Sequence, residues 1–264
     1  MRSIRAVSGG VMASLLAVTT LVLAAPANAA AVNYVALGDS YSAGVGAGNY
    51  DSSSGDCSRS YSSYPELWAG ANSPSSFSFV ACSGATTTDV LNSQLSALNS
   101  GTTLVSLTIG GNDAGFSNTM ETCVLDGTSS CLSAVSTAES YATNTLPGQL
   151  SQLYAAISAA APNARVVVMG YPELYEVPGD CWFGISDTSR TAIDGAADTL
   201  DNVISKAAAN AGFTYADVRS AFGGHEICSD DEWLHSTTLP IDESYHPTAD
   251  GQSLGYLPVF ENAA

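Results

Sequence analysis

Tyr34-Val35-Ala36-Leu37-Gly38-Asp39-Ser40-Tyr41-Ser42 is a short apolar run that ends on Gly-Asp-Ser. The run reads as a strand, and the glycine that follows it closes the strand with a turn. A serine at such a strand end has its hydroxyl held rigid yet exposed, which is the placement a nucleophile needs. Gly-Asp-Ser also arises as a cap or turn in any Ser-rich chain, so three further segments decide the reading.

Cys82-Ser83-Gly84-Ala85 closes the alternating stretch Ser76-Phe77-Ser78-Phe79-Val80-Ala81 and precedes Thr86-Thr87-Thr88-Asp89, a helix N-terminal signal. A glycine there lets a backbone N–H approach a ligand closely. Thr108-Ile109-Gly110-Gly111-Asn112-Asp113 follows the apolar segment Leu104-Val105-Ser106-Leu107 and offers an amide donor at another strand end. Ser244-Tyr245-His246-Pro247-Thr248 supplies an imidazole near the C-terminus.

Strand-like runs at 34–37, 77–81, 103–109, 165–170 and 213–218 alternate with helix-like segments at 64–70, 87–98, 131–144, 147–161 and 189–211, with a last helix after Pro247. Alternation of this kind predicts an α/β fold, a five-stranded parallel sheet between two helical layers in a flavodoxin-like three-layer sandwich. Pro147 fits the first turn of its helix, where a missing N–H costs nothing. Ligands of open parallel sheets bind beyond the carboxyl ends of the strands. Ser40, Gly84 and Asn112 all fall there, after the first three strands.

The four blocks resemble those of the SGNH hydrolases, the GDSL family of esterases and lipases, and are most similar to the secreted streptomycete lipases. The likeness spans the chain nearly end to end from residue 34. It implies a carboxylic ester hydrolase that forms an acyl-serine intermediate, with Ser40 as nucleophile and His246 as base. The oxyanion would be held by the N–H groups of Ser40 and Gly84 and the side-chain amide of Asn112. A serine hydroxyl needs such a base near neutral pH, and histidine titrates in that range. The other two histidines read differently: His225 as a loop residue near Cys228, His235 as a residue of the site mouth or of the packing. The expected substrate is an acylglycerol or another fatty-acyl ester; phospholipase A1 and carbohydrate acetyl esterase are the alternatives. A non-enzymatic alternative, a binding module on the same fold, is opposed by the presence of Ser, Gly, Asn and His together. No motif asks for a metal or an organic cofactor.

One position departs from the family pattern. The family places Asp three residues before the histidine, and here that residue is Glu243, with Asp242 one further back. In similar lipases a backbone carbonyl two residues before the histidine takes its place, which here is that of Ser244. Ser244 is the favoured orienting group and Glu243 the alternative. Asp39 and Asp113 read as turn and cap residues, and Tyr41, Tyr245, Trp182 and Trp233 are candidates for an acyl groove.

With 264 residues, 45% of them hydrophobic and no linker or repeat, the chain reads as one domain. Its first 30 residues read as a secretory signal, with Arg2 and Arg5 ahead of an apolar run and Ala27-Asn28-Ala29 as the cleavage site. That leaves 31–264 as a single secreted, extracellular domain. Losing two arginines moves the net charge from −18 to −20, since 5 of the 7 basic residues remain against 25 acidic ones. Such a surface excludes nucleic acid, whose binding rests on neutralised phosphates, and no mature segment is apolar enough for stable membrane insertion. Monomer is the expectation. Six cysteines in an exported chain imply three disulfides, and 15 pairings exist. The resemblance implies sequential pairing, Cys57–Cys82, Cys123–Cys131 and Cys181–Cys228. Zinc is the competing use, but no two cysteines have its ligand spacing.

Overall fold

The computed structural model describes residues 31–179, 181 and 184–264, with Ser3 and Ala6 ahead of them. The rest of the expected secretory signal, and Trp182, lie outside the described residues. The chain runs β1 (Asn33–Ala36), α1 (Ser40–Ala43), α2 (Tyr64–Asn72), β2 (Ser76–Phe79), α3 (Thr87–Asp89), β3 (Leu104–Leu107), α4 (Phe116–Leu125), α5 (Gly127–Asn144), α6 (Leu146–Ala160), β4 (Arg165–Met169), α7 (Asp187–Ala211), β5 (Thr214–Ala216), α8 (Arg219–Phe222) and α9 (Leu257–Ala263). The five strands form one parallel sheet in the order β2-β1-β3-β4-β5. This is the expected flavodoxin-like order, whose direction of winding switches between β1 and β3.

The central strands read as continuous apolar runs because both faces of the sheet are covered. Leu104-Val105-Ser106-Leu107 and Val166 to Met169 are buried throughout. On one face Tyr34 of β1 packs against Trp68 of α2 and Phe260 of α9, with ring centroids 5.2 and 5.6 Å apart. The other layer contains α5, α6 and α7, which pack on one another. There Leu146, Leu150, Leu153 and Ile157 of α6 are fully buried, each worth roughly 1.5–3 kcal/mol relative to exposure. Pro147 occupies the first turn of α6.

Helical segments differ from the sequence expectation in two ways, a different winding over 87–98 and the added helices α1, α4 and α8. The helix expected over 87–98 is one α turn, α3, then a π-wound stretch Val90–Gln94 and a 3-10 turn Leu95–Ala97. The cause is Gln94, buried in the core. Its side-chain oxygen accepts the Gly38 N–H at 2.8 Å, and its amide donates to the Gly38 carbonyl at 2.8 Å. The wide π turn aims that side chain at the strand end carrying the serine, a use π-bulges often have near functional sites. Helix α4 has no counterpart in the sequence reading, although Phe116, Met120 and Cys123 recur along it at helical spacing.

Three disulfides staple loops: Cys57 to Cys82, Cys123 to Cys131 and Cys181 to Cys228. The first closes a 25-residue separation just before Gly84, which in the chain-entropy account stabilises by about 3.5 kcal/mol. Among the described residues no helix is long and apolar enough to cross a membrane.

Candidate active site

Ser40 opens α1, and Asp39 caps it by accepting the Tyr41 N–H at 3.1 Å. The short helix is bolted to the end of β3 through Thr108. The Thr108 hydroxyl accepts from the Ser42 N–H at 3.0 Å, and the Thr108 N–H donates to Ser42 Oγ at 2.8 Å. Asp39 is buried and also accepts from Thr108 Oγ1, at 2.6 Å, and from the Tyr171 hydroxyl. Burial pushes its pKa up from 3.8 to about 6, against the pull of those hydrogen bonds. It acts as a cap with a long reach.

His246 Nε2 lies 2.7 Å from Ser40 Oγ, and His246 Nδ1 lies 3.0 Å from the Ser244 carbonyl oxygen. A carbonyl only accepts, so Nδ1 carries the proton and Nε2 presents its lone pair to the serine hydroxyl. Desolvation pushes the imidazole pKa down from 6.5 to about 4, opposed by the Ser244 carbonyl and by Asp242. Glu243 points elsewhere: its Oε1 accepts from the Tyr50 hydroxyl at 2.7 Å. Neither remaining histidine reaches the serine. His225 stacks on Trp233 with centroids 3.5 Å apart, and His235 Nε2 pairs with the Gly46 carbonyl at 2.8 Å.

Gly84 adopts φ +77°, a left-handed conformation open to glycine. Asn112 lies beside it, donating one amide hydrogen to the Ala85 carbonyl at 3.0 Å. Asp113 accepts from Thr87 N–H at 2.9 Å and from Thr87 Oγ1 at 2.6 Å, so the loops after β2 and β3 are clamped together. The N–H groups of Ser40 and Gly84 have no acceptor among the described residues. The structure thus brings Ser40, Gly84, Asn112, Ser244 and His246 to one edge of the sheet.

From Ser40 and Asn112 a groove runs between α4, α5 and α7. Phe116, Met120, Val135, Leu174 and Ile193 supply apolar walls, and Ala138 and Ala197 leave room between the helices. Of the aromatic candidates, Tyr41 lines this groove, Tyr245 is buried with its hydroxyl 2.7 Å from Thr237 Oγ1, and Trp233 packs against Phe222 and His225. Tyr171 escaped the sequence reading, although it follows β4 directly and the rule of strand ends points to it. Among the described residues no cluster of His, Cys, Asp and Glu is arranged to hold a metal.

Residues 36–254 match the model of the GDSL-like lipase/acylhydrolase family. Lipase 1 of Streptomyces coelicolor is 62% identical over 237 residues, covering 89% of this chain and 88% of that protein. An extracellular lipase from Streptomyces rimosus superposes with a TM-score of 0.87 at 58% identity, covering 89% of this chain and all of its own. A phospholipase A1 from Streptomyces albidoflavus NA297 gives 0.87 at 60% identity, with the same coverage.

Proposed function

Because the chain belongs to the GDSL-like lipase/acylhydrolase family and is a serine carboxylic ester hydrolase, we propose that Ser40 is its nucleophile and His246 its base. The supporting observation is the chain of contacts from Ser40 Oγ through His246 to the Ser244 carbonyl. As Ser40 Oγ attacks the ester carbonyl, its proton passes to Nε2. The imidazolium then donates from Nδ1 to Ser244, a partner that orients the ring but stabilises its charge less than a carboxylate does. The N–H groups of Ser40 and Gly84 and the free hydrogen of the Asn112 amide receive the oxyanion; one such donor is worth roughly 2.7–4 kcal/mol in comparable sites. His246 gives the proton to the leaving alcohol, then draws one from the water that releases the acid.

The apolar groove takes the acyl chain, which favours acylglycerols or other fatty-acyl esters. A phospholipid is the second reading, supported by the likeness to the S. albidoflavus phospholipase A1. Residues 31–264 act as one extracellular, monomeric domain after loss of a signal at 1–30; the three disulfides and the extracellular lipase of S. rimosus support export. The acidic surface argues against a nucleic-acid partner.

Hydrolysis of p-nitrophenyl esters of graded chain length and of phosphatidylcholine, with Ser40→Ala in parallel, tests this reading. Turnover should vanish with Ser40, and the chain-length profile should favour acids long enough to fill the groove. Turnover retained by Ser40→Ala would refute the assignment.

A further inference from the structure

Tyr41 follows the nucleophile on the same helical turn and is anchored at both ends of its backbone. Its N–H donates to Asp39, and its carbonyl accepts the Gln252 amide at 3.0 Å. Its buried phenol reaches across the sheet edge and donates to the Tyr245 carbonyl at 2.6 Å. Tyr245 sits between the orienting carbonyl and the base, and its φ of +64° is one that residues other than glycine rarely adopt. That backbone turn brings the Ser244 carbonyl back onto His246 Nδ1. The ring of Tyr41 also packs on the imidazole, with centroids 5.2 Å apart and planes inclined at 45°. Tyr171 meets Tyr41 edge-on at 5.1 Å from another side and fixes its orientation.

We propose that Tyr41 is a positioning residue for the base, standing in for the carboxylate this site lacks. Its hydroxyl holds the left-handed turn that aims His246, and its aromatic ring gives the nascent imidazolium a surface that attracts cations, which acts within about 6 Å of a ring centroid. The inference rests on Ser40 and His246 as nucleophile and base. It gives Tyr41 a part in turnover that groove lining alone would not.

The test compares Tyr41→Phe, Tyr41→Leu and Ser40→Ala in the mature, disulfide-bonded protein, with p-nitrophenyl butyrate as substrate and thermal melts of each. Tyr41→Phe should lower kcat by about tenfold and leave KM within about twofold, the signature of lost transition-state alignment. Tyr41→Leu, which removes the ring as well, should lower kcat by about a hundredfold. Should the leucine variant fail to fold, Tyr41→Phe decides alone. A wild-type kcat in folded Tyr41→Phe, or a loss confined to KM, overturns the proposal while Ser40→Ala stays inactive. An active Ser40→Ala removes its premise and overturns both.

Discussion

Replacing Glu243 by glutamine distinguishes an imidazole held by a carbonyl from one held by a carboxylate. The Glu243 carboxylate is engaged by the Tyr50 hydroxyl at 2.7 Å, whereas His246 Nδ1 faces the Ser244 carbonyl at 3.0 Å. Glutamine keeps an oxygen for Tyr50, so the substitution removes only the ionic part of an exposed hydrogen bond. A complete loss of such a bond to a charged group is worth about 1.5–3 kcal/mol, and the retained oxygen at an exposed position keeps the cost to about 0.5 kcal/mol. If all of that reached the transition state, kcat would fall by about twofold. A carboxylate on Nδ1 is a different case, since changing the triad aspartate of a serine protease to its amide costs about 10⁴ in kcat. The two expectations differ by more than three orders of magnitude. Initial rates with p-nitrophenyl butyrate at pH 7 to 8, on protein checked for an unchanged melt, are sufficient to separate them. A hundredfold or greater loss of kcat in folded Glu243→Gln would refute the carbonyl-held base.

The pH profile should show the depressed basicity of His246: kcat/KM should rise through an acid limb near pH 4 instead of near 6.5, and a limb at 6.5 would contradict the desolvated site. Stability should run the other way. Asp39, with a folded pKa of about 6, and Asp194 and Asp201, both near 7, keep protons that the unfolded chain gives up near 3.8, so each loses stability as pH rises from about 4 to 7. His246, with its pKa lowered to about 4, works in the opposite sense and loses stability as pH falls from 6.5 to 4. Three carboxylates outweigh one imidazole, so the melting temperature should be higher at pH 5 than at pH 7.5; a melt that falls on acidification over this range would oppose the balance. Gly46→Ala should disable turnover, because a Cβ at φ +89° would stand 2.7 Å from the Pro247 carbonyl and 3.1 Å from His246 Cβ; a kcat loss of at least about tenfold is expected, and wild-type kinetics would show that the loop has room to retreat. Ala138→Leu should shorten the groove between α5 and α7, cutting kcat/KM for dodecanoyl and longer esters by about tenfold or more while acetyl esters are unaffected; equal losses across the series would place the acyl chain elsewhere.

Much of the fold could be read from the sequence because its signals are local. A buried parallel strand appears as an apolar run, and the residues that follow it come to the carboxyl edge of the sheet whatever the remainder does. Ser40, Gly84 and Asn112 belong to this class. Gln94 does not: nothing near it in sequence says that its amide will pair with both peptide groups of Gly38, so its neighbours looked like ordinary helix. Helix α4 is a different case: Phe116, Met120 and Cys123 recur at helical spacing, a local signal present in the sequence, and Phe116, Thr119 and Met120 line the groove. Gly46 looks like one glycine among several in a loop, and only the approach of Pro247 and His246 makes it irreplaceable. Tyr171 carried a local signal, its place at the end of β4, but that signal became meaningful only when Asp39 was found beneath it.

The same contrast separates the two halves of the candidate site. The proposed nucleophile and oxyanion donors sit at strand ends, where the sheet ladder and the pairs Ser42–Thr108 and Thr87–Asp113 hold them. The proposed base, His246, arrives on a segment with one 3-10 turn, Ile241–Glu243, and little regular structure around it. Its geometry comes from contacts made with other parts of the chain: the paired backbones of His235 with Tyr245 and His246, the His235 ring on Gly46, Glu243 on Tyr50 and Tyr41 on Tyr245. Each tie is a single hydrogen bond or a close approach, small beside the apolar core that stabilises the sheet. Loosening one should therefore cost turnover well before it costs folding. A neutral carbonyl also holds the imidazole less firmly than an ion would, so alignment of His246 depends more on these remote ties than it would in a site with a carboxylate at Nδ1.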